Sequence, residues 1–477
     1  MSSYEAVIGL EIHVQLNTKS KIFCACKADS WGDPPNTNIC PVCTGQPGVL
    51  PVPNQAVIEK AVLLAAALNA DIQPVSFFDR KNYFYPDLPK GYQISQYDLA
   101  IANGGFMDLP LEDGSTRRVQ IEKLHIEEDA GKTIHKTGRR LLDFNRCGVP
   151  LVEMVTAPDL RSADEAADYI RQFRQLLRWI GVSEASMEKG QMRFDANVSI
   201  REKGSDVLNP KTEIKNVNSI EHGRDAMKAE IKRQIKEVEA GNKIESWTLD
   251  WNEDTQTLSK MRSKETEADY RYFKEPDLLA VEITEDRIKE LVESLPELPL
   301  ARESRFIDEY KLPAREAKVL TSEKQLADYF EGIIKHYPQK PKQAANWLIN
   351  DLLGLMNELG LSAAELFLTP ERLAEILKLV AEGVINTSTG KELIRKTQKL
   401  QKDPRELVEE EGLTQVTDSA AIESICQEVI RENPSQVEQY QSGKGGVIGW
   451  LIGQVMAKSG GKADPQAVRE ILEKLLK

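Results

Sequence analysis

The sequence predicts an α+β fold: an antiparallel sheet with helices behind one face and the other face open as a polar cradle, followed by a region that is helical throughout. Three observations predict it. Four separate segments alternate apolar with polar residues, and strand side chains change sides with period two. Between them lie stretches with apolar residues at helical spacing and capping residues at their starts. From about Leu295 the texture changes: Pro296, Pro299 and Pro313 punctuate a junction, and Leu, Ala, Lys and Glu dominate the rest of the chain. At 477 residues the chain is too long for one core, so two or three domains are expected. The expected division is a cradle over 1–294, a helical domain over 295–402 and a tail over 403–477.

The elements come in order. In Val7–Leu16, Ile8, Leu10, Ile12, Val14 and Leu16 share one face, and Glu11, His13 and Gln15 share the other. Asn54 is placed to cap a helix over Gln55–Leu68, with Val57, Ala61, Leu64, Ala65 and Leu68 on one stripe. Asp79–Asp98 interleaves Tyr83, Phe84, Tyr85, Tyr92 and Tyr97 with Arg80, Lys81 and Lys90. Aromatic rings beside cations suit unpaired bases, so Tyr83, Tyr85 and Tyr92 are candidate RNA contacts; a Pro-braced loop packed by its own rings accounts for the same composition. In Lys123–Asp129, His125 and Glu127 point together, and Glu128 follows directly. Glu153 interrupts the apolar strand Pro150–Val155, where a carboxylate is costly unless paired or metal-bound. Ser162 and Glu165 form a capping box that opens a helix with Ala166, Ile170, Phe173, Leu177 and Ile180 inward, ending near Gly181. Arg193–Arg201 and Lys211–Lys215 are further strands, the first carrying Asp195 and the second Glu213. A helix over Ile220–Ala240 is expected to bury Ile220, Met227, Ile231, Ile235 and Val238 and to stop at Gly241. Lys391–Lys402 reads as a basic connector. Ser442–Gly449 and Ser459–Lys462 read as glycine turns between tail helices, with Lys444, Lys458 and Lys462 able to touch a phosphate backbone.

Composition narrows the chemistry. The net charge of −13 argues against a protein held to nucleic acid by a bulk positive field, but leaves room for local basic surfaces. No apolar run approaches the ~20 residues of a membrane span, and no secretory signal is visible, so a cytoplasmic protein is expected. Cys24, Cys26, Cys40 and Cys43 form two close pairs, the spacing of a structural zinc knot, although the first pair is C-x-C; four unrelated thiols are the alternative. Cys147 and Cys426 read as buried apolar residues. Two of the five histidines fall in the carboxylate-bearing segments. Carboxylates with one or two imidazoles and no thiolate suit Mg²⁺ or Mn²⁺ with phosphate oxygens completing the shell; a salt-bridged network built with Arg193, Arg201, Lys211 and Lys215 is the structural alternative. Neither a Walker motif nor a Gly-x-Ser-x-Gly elbow is present.

Long stretches resemble one family. Val7–Val14, Asp79–Asp98, Leu124–Lys132 (LHIEEDAGK), Asp143–Met154 (DFNRCGVPLVEM), Arg193–Ser199 (RFDANVS) and Lys211–Ser219 (KTEIKNVNS) closely resemble the B-subunit family of bacterial aspartyl/glutamyl-tRNA amidotransferases, and the likeness extends through a YqeY-like tail. The resemblance implies a cradle related to the glutamine synthetase catalytic fold. It implies ATP- and Mg²⁺-dependent phosphorylation of the side-chain carboxylate of Glu-tRNA(Gln) or Asp-tRNA(Asn). Ammonia from an amidase A-subunit then completes the amidation, with a small C-subunit joining the pair. The resemblance places Glu11, His13, Glu127, Glu128 and Glu153 at metal and phosphoryl transfer, Asp195 and Glu213 at the outer acidic positions, and Lys81, Lys90 and Glu128 on the ammonia route. The helical and tail domains would hold the tRNA. Two rival expectations are a free-standing carboxylate–ammonia ligase, against which the long non-catalytic tail argues, and a non-catalytic RNA-binding scaffold, against which the acidic faces argue.

Overall fold

In the computed structural model the described residues are 3–263, 267–415 and 419–476, and the chain divides into two compact units, 1–298 and 299–477. The first unit is built on a ten-stranded sheet. From one edge its path runs Thr257–Ser263, Trp247–Asn252, Thr212–Lys215, Met192–Glu202, Tyr4–Gln15, Pro150–Thr156, Thr116–Glu128, Ala102–Asn103 and Asp71–Ile72, with Phe106–Pro110 also paired to Thr116–Glu128. Every pairing is antiparallel except that of Thr212–Lys215 with Trp247–Asn252. Tyr4–Gln15 lies in the middle, between Met192–Glu202 and Pro150–Thr156.

Alternation divides the two faces. Ile8, Leu10, Ile12 and Val14 are fully buried, and they join Leu124, Ile126, Val152, Met154, Ala196 and Val198 in one core. Helices Gln55–Ala67, Ala163–Trp179 and Ile220–Glu239 close that core from behind. Each begins as expected: Asn54 accepts from Ala56 N, Ser162 from Glu165 N and Ser219 from His222 N. The Glu165 carboxylate accepts from Arg161 N, one residue outside the strict capping box.

The third helix departs from its expected stripe. Its most buried side chains include Glu230 and Gln234, while Ile231, Ile235 and Val238 are only half-buried. The reason lies across the interface. Thr212 Oγ1 donates to Glu230 Oε1 at 2.8 Å, and Gln234 Nε2 donates to Val198 O at 3.0 Å. The strands present polar groups to this helix, and buried polar groups must be met. Gly223 sits where an added Cβ would lie 2.4 Å from Phe194 Cζ.

A three-stranded sheet, Phe273–Lys274, Asp79–Asn82 and Tyr92–Ser95, forms from the aromatic–basic segment for which a loop is the alternative reading. Arg80 holds it by donating to both oxygens of the buried Glu275 carboxylate at 2.7 and 2.9 Å.

The second unit is helical. Lys391–Lys402, expected as a connector, lies almost wholly within the helix Thr387–Leu400, which buries Leu393, Ile394 and Thr397. The charges occupy its outer face, and the sparse apolar positions are enough to dock it. Pro404–Glu410 packs on this helix and on Pro370–Ala381. Helices Ser419–Glu432, Val447–Lys458 and Pro465–Leu475 share a separate core around Cys426, Leu451, Val455 and Leu472. No helix among the described residues is long and apolar enough to cross a membrane.

Gly223→Ala should lower unfolding stability by about 1–3 kcal/mol, because the added methyl forces the helix off Phe194. A shifted denaturant midpoint with unchanged m-value is the expected readout, and an unmoved midpoint would show that the contact relaxes.

Candidate functional site

The central strands bring the acidic residues together through their register. Glu11 lies opposite Asp195, His13 opposite Glu153, and Glu153 opposite His125. Directly opposed residues on an antiparallel face sit within side-chain reach, so the sheet writes a line of ligands across four strands. Two groups result. His13, Glu127 and Glu153 have ligand atoms within 4.8 Å of one another, and so do Glu11, Asp195 and Glu213. In the first, His13 Nε2 lies 3.2 Å from Glu153 and 3.7 Å from Glu127, and His125 Nε2 lies 3.1 Å from Glu153. In the second, Lys215 Nζ bridges Asp195 at 2.5 Å and Glu213 at 3.3 Å. Asn197 donates to Glu11 at 2.8 Å, and Thr248 donates to Glu213 at 3.1 Å.

His13, Glu127 and Asp195 of these groups line an open cleft of about 630 Å³, together with Lys81, Tyr83, Asp129 and Arg193. The size suits a nucleotide rather than an ion alone. Burial alone would push the His13 imidazole down, but the Glu153 and Glu127 carboxylates raise it to about 9. Glu153 is largely shielded from solvent, yet the two histidines hold its carboxyl well below the usual range. Burial works against the charge on Lys81 too, and Glu127 and Glu153 outweigh it, raising its pKa. Lys215 is shifted upward in the same way by Asp195 and Glu213. His13, Lys81 and Lys215 are therefore favoured as cations and Glu153 as a carboxylate at neutral pH. The donor set, oxygens with one imidazole per group at most, fits a hard divalent cation such as Mg²⁺.

Glu128 stands apart from both groups. It follows Glu127 on one strand, so it points to the opposite side. There its carboxylate accepts from Lys90 Nζ and, at 2.9 Å, from Ile94 N. The Lys90–Glu128 pair borders a small cavity of about 70 Å³ that Cys24 and Cys43 also line. Of the three residues expected on an ammonia route, Lys90 and Glu128 are together, whereas Lys81 lies in the cleft. The four cysteines Cys24, Cys26, Cys40 and Cys43 converge, with sulfurs within 4.8 Å of one another. A tetrahedral zinc with bonds of about 2.3 Å sets its sulfurs about 3.8 Å apart, so the cluster fits that ion. The hydrogen bond from Cys24 pushes the Cys43 thiol down, and the fully buried Lys21, 3.7 Å away, favours its thiolate further.

Of the RNA-contact candidates, Tyr83 lines the cleft and donates to Gln93 at 3.1 Å. Tyr85 is half-exposed, and Tyr92 lies under the Arg80 guanidinium. Lys444 is exposed on its turn; Lys458 is tied to Glu428 and Glu432, and Lys462 is half-buried. Asp129 joins the site without being among the site residues expected from the sequence, whereas Arg193 and Lys215, expected on these faces as partners of a salt-bridged network, do pair with Asp129, Asp195 and Glu213. Asp129 is buried and accepts from Gln15 at 2.9 Å and from Arg193 at 3.0 Å. Period two holds the signal: it places Asp129 with Glu127 and sets Glu128 opposite.

Residues 6–289 match the GatB/GatE catalytic domain family and residues 328–476 match the GatB domain family that includes the YqeY-like region. Over 474 residues the chain is 46% identical to the B subunit of the aspartyl/glutamyl-tRNA(Asn/Gln) amidotransferase of Persephonella marina, covering 99% of this chain and 100% of that one. The chain belongs to the amidotransferase B-subunit family. The B-subunit proteins of Thermodesulfovibrio yellowstonii and Thermotoga maritima are 48% and 45% identical, each covering 99% of both chains. Both acidic groups and the cysteine cluster lie inside the matched catalytic domain.

A divalent cation and the His13 proton compete for Glu127 and Glu153. Binding of Mn²⁺ should therefore tighten as pH rises toward about 9 and release a proton below it. Calorimetric titration in two buffers of different ionisation enthalpy measures that proton; an affinity independent of pH would remove His13 from the ligands. The same shift has a stability sign. The His13 pairing is complete below its unfolded pKa of about 6.5 and is lost as pH rises through about 9.

Proposed function

We propose that this chain is the subunit of a tRNA-dependent amidotransferase that activates the side-chain carboxylate of Glu-tRNA(Gln) or Asp-tRNA(Asn) with ATP and amidates it. The observation that carries this reading is the pair of carboxylate groups set side by side across the antiparallel strands, with Lys81, Arg193 and Lys215 around them. A carboxylate is a poor acyl electrophile, because its charge repels a nucleophile and oxide does not leave. Phosphorylation supplies a leaving group, and that step needs positioning and charge neutralisation more than covalent help from the protein.

His13, Glu127 and Glu153 would hold one Mg²⁺, and Glu11, Asp195 and Glu213 a second cation site. Mg²⁺ bound there supplies neutralisation of the ATP phosphates and of the phosphoryl group in transit. His125, on the strand beyond Glu153, contacts the same Oε2 oxygen as His13 and helps to fix that carboxylate. Lys215 and Arg193 offer fixed positive charge to the phosphoryl oxygens, and Lys81 stands at the same cleft. Ammonia then displaces phosphate from the activated carboxyl carbon. Lys90 and Glu128, paired behind the strand, lie where ammonia would pass and where ammonium would leave its proton.

The partners of this reading are an amidase A-subunit that supplies ammonia from glutamine and a small C-subunit that joins the two, in the cytoplasm. The cradle is read as a relative of the glutamine synthetase catalytic fold, with 295–402 as a helical domain and 403–477 as a tail holding the tRNA. Cys24, Cys26, Cys40 and Cys43 would hold a structural zinc, which would tie the loop together and take no part in the chemistry.

The purified complex of this chain with its amidase and small partners, given ATP, Mg²⁺, glutamine and Glu-tRNA(Gln) or Asp-tRNA(Asn), should form amidated tRNA. Glu153→Gln should cut that product by roughly 10²–10³-fold while glutamine hydrolysis by the amidase persists. Equal loss of both activities would instead mark Glu153 as structural, and wild-type amidation of free glutamate without tRNA would replace the reading by a small-molecule ligase. Cys43→Ser should lose zinc, counted as metal per chain by mass spectrometry; a wild-type protein purified without zinc would refute the assignment.

A further inference from the structure

One charged feature lies outside the acidic cleft and the cysteine cluster. The hairpin of Lys132–Lys136 with Arg139–Asp143 pairs with no other strand among the described residues. Lys132, His135, Lys136, Arg139 and Arg140 are all exposed on it, and Thr137–Gly138 closes its tip with Gly138 at φ +71°. Among the described residues no carboxylate pairs with Lys132, Lys136, Arg139 or Arg140. In a chain of net charge −13, four fixed positive charges within residues 132–140 are a strong local reversal of sign.

An isolated two-stranded hairpin is marginally stable in water, so its root must hold it. The root is held on two sides. Toward the aromatic segment, Gly131 N donates to Asp87 O at 2.8 Å and Thr133 Oγ1 donates to Asp87 Oδ2 at 3.0 Å. Toward the cysteine loop, Asn36 Nδ2 donates to Leu142 O at 2.9 Å, Asn36 N donates to Asp143 Oδ1 at 3.1 Å, and Phe144 N donates to Asn36 Oδ1 at 2.7 Å. The result is an anchored base with a free, cationic tip. The base also adjoins the cleft, because Asp129 and Ala130, immediately before it, line that cleft.

We propose that the 132–143 hairpin is an arm that grips the phosphate backbone of the acceptor end of the aminoacyl-tRNA whose terminus enters the acidic cleft. The identity of the polyanion rests on the amidotransferase reading; the electrostatic argument does not. The tip offers guanidinium and ammonium groups with no ring to stack on a base beyond the lone His135 imidazole, so it positions an RNA without reading sequence. A protein partner would need an apolar anchor at the contact centre, and the tip from His135 to Arg140 supplies none. The arm also answers an electrostatic need: the acidic cleft repels a polyanion, and a positive surface rooted next to the cleft-lining Asp129 and Ala130 offsets that repulsion.

The test uses the whole heterotrimer with Arg139→Gln/Arg140→Gln and, separately, Lys136→Glu/Arg139→Glu/Arg140→Glu. These residues are exposed and their loss leaves the root contacts in place. The KM for aminoacyl-tRNA should rise roughly tenfold or more in the triple variant, with kcat and glutamine hydrolysis held near wild type. The slope of log affinity against log salt should fall by about 2 in the double variant, equally for tRNAs of different acceptor sequence. Unchanged tRNA affinity and salt slope would overturn the arm. Loss of a partner from the triple variant on gel filtration would overturn it in favour of a protein interface. A wild-type heterotrimer that binds tRNA without amidating it would overturn the amidotransferase reading alone, because the same binding titration still reads the arm.

Discussion

The register of the central strand is the constraint on which the site depends. Tyr4–Gln15 is paired along its length with Met192–Glu202 and at its end with Pro150–Thr156. A slip of one residue would turn Glu11 and His13 into the core and send Ile12 and Val14 into the cleft. The apolar side forbids it: Ile8, Leu10, Ile12 and Val14 are fully buried against the helices behind. The hydrophobic effect thus sets the position of a polar site to which it contributes no side chain. Burial on one face pins the alignment of ligands on the other.

That alignment has an electrostatic consequence. Carboxylates crowded on one face repel one another, and several here are largely out of water. The structure offsets this with cations placed between them rather than around them. His13 sits between Glu127 and Glu153, and Lys215 sits between Asp195 and Glu213. Each group has its own counter-charge at the position where a divalent cation would compete for the same oxygens. A site built this way is folded before it is loaded, which limits rearrangement during phosphoryl transfer. The helix behind contributes indirectly. Glu230 and Gln234 tie down Thr212 and Val198, which lie on the strands that carry Glu213 and Asp195. Their burial explains why a helix with an apparent isoleucine stripe turns a polar edge inward.

Period two in the strands puts Glu11, His13, His125, Glu127, Glu153, Asp195 and Glu213 on polar faces, and the cysteine spacing locates a cluster that does form. The same rule, applied strictly, separates Glu127 from Glu128. The resemblance sets Glu128 beside Glu127 at metal and phosphoryl transfer, while the strand directs its carboxylate to Lys90. Asp129 lies one residue past the end of its strand, so alternation has to be carried beyond the strand to place it with Glu127. The basic helix at Thr387–Leu400 looks like a connector because so few of its positions are apolar.

The sequence by itself determined which side chains face water and which face the core, because alternation and helical spacing are local properties of a chain. It also carried enough motif to identify the family. Only the tertiary structure decided which polar faces meet. The division into two acidic groups, the sharing of Glu153 by two histidines, and the anchoring of a basic hairpin on both the cysteine loop and Asp87 come from pairings between residues far apart in the chain. Those pairings are set by long-range register and burial, which no local pattern encodes.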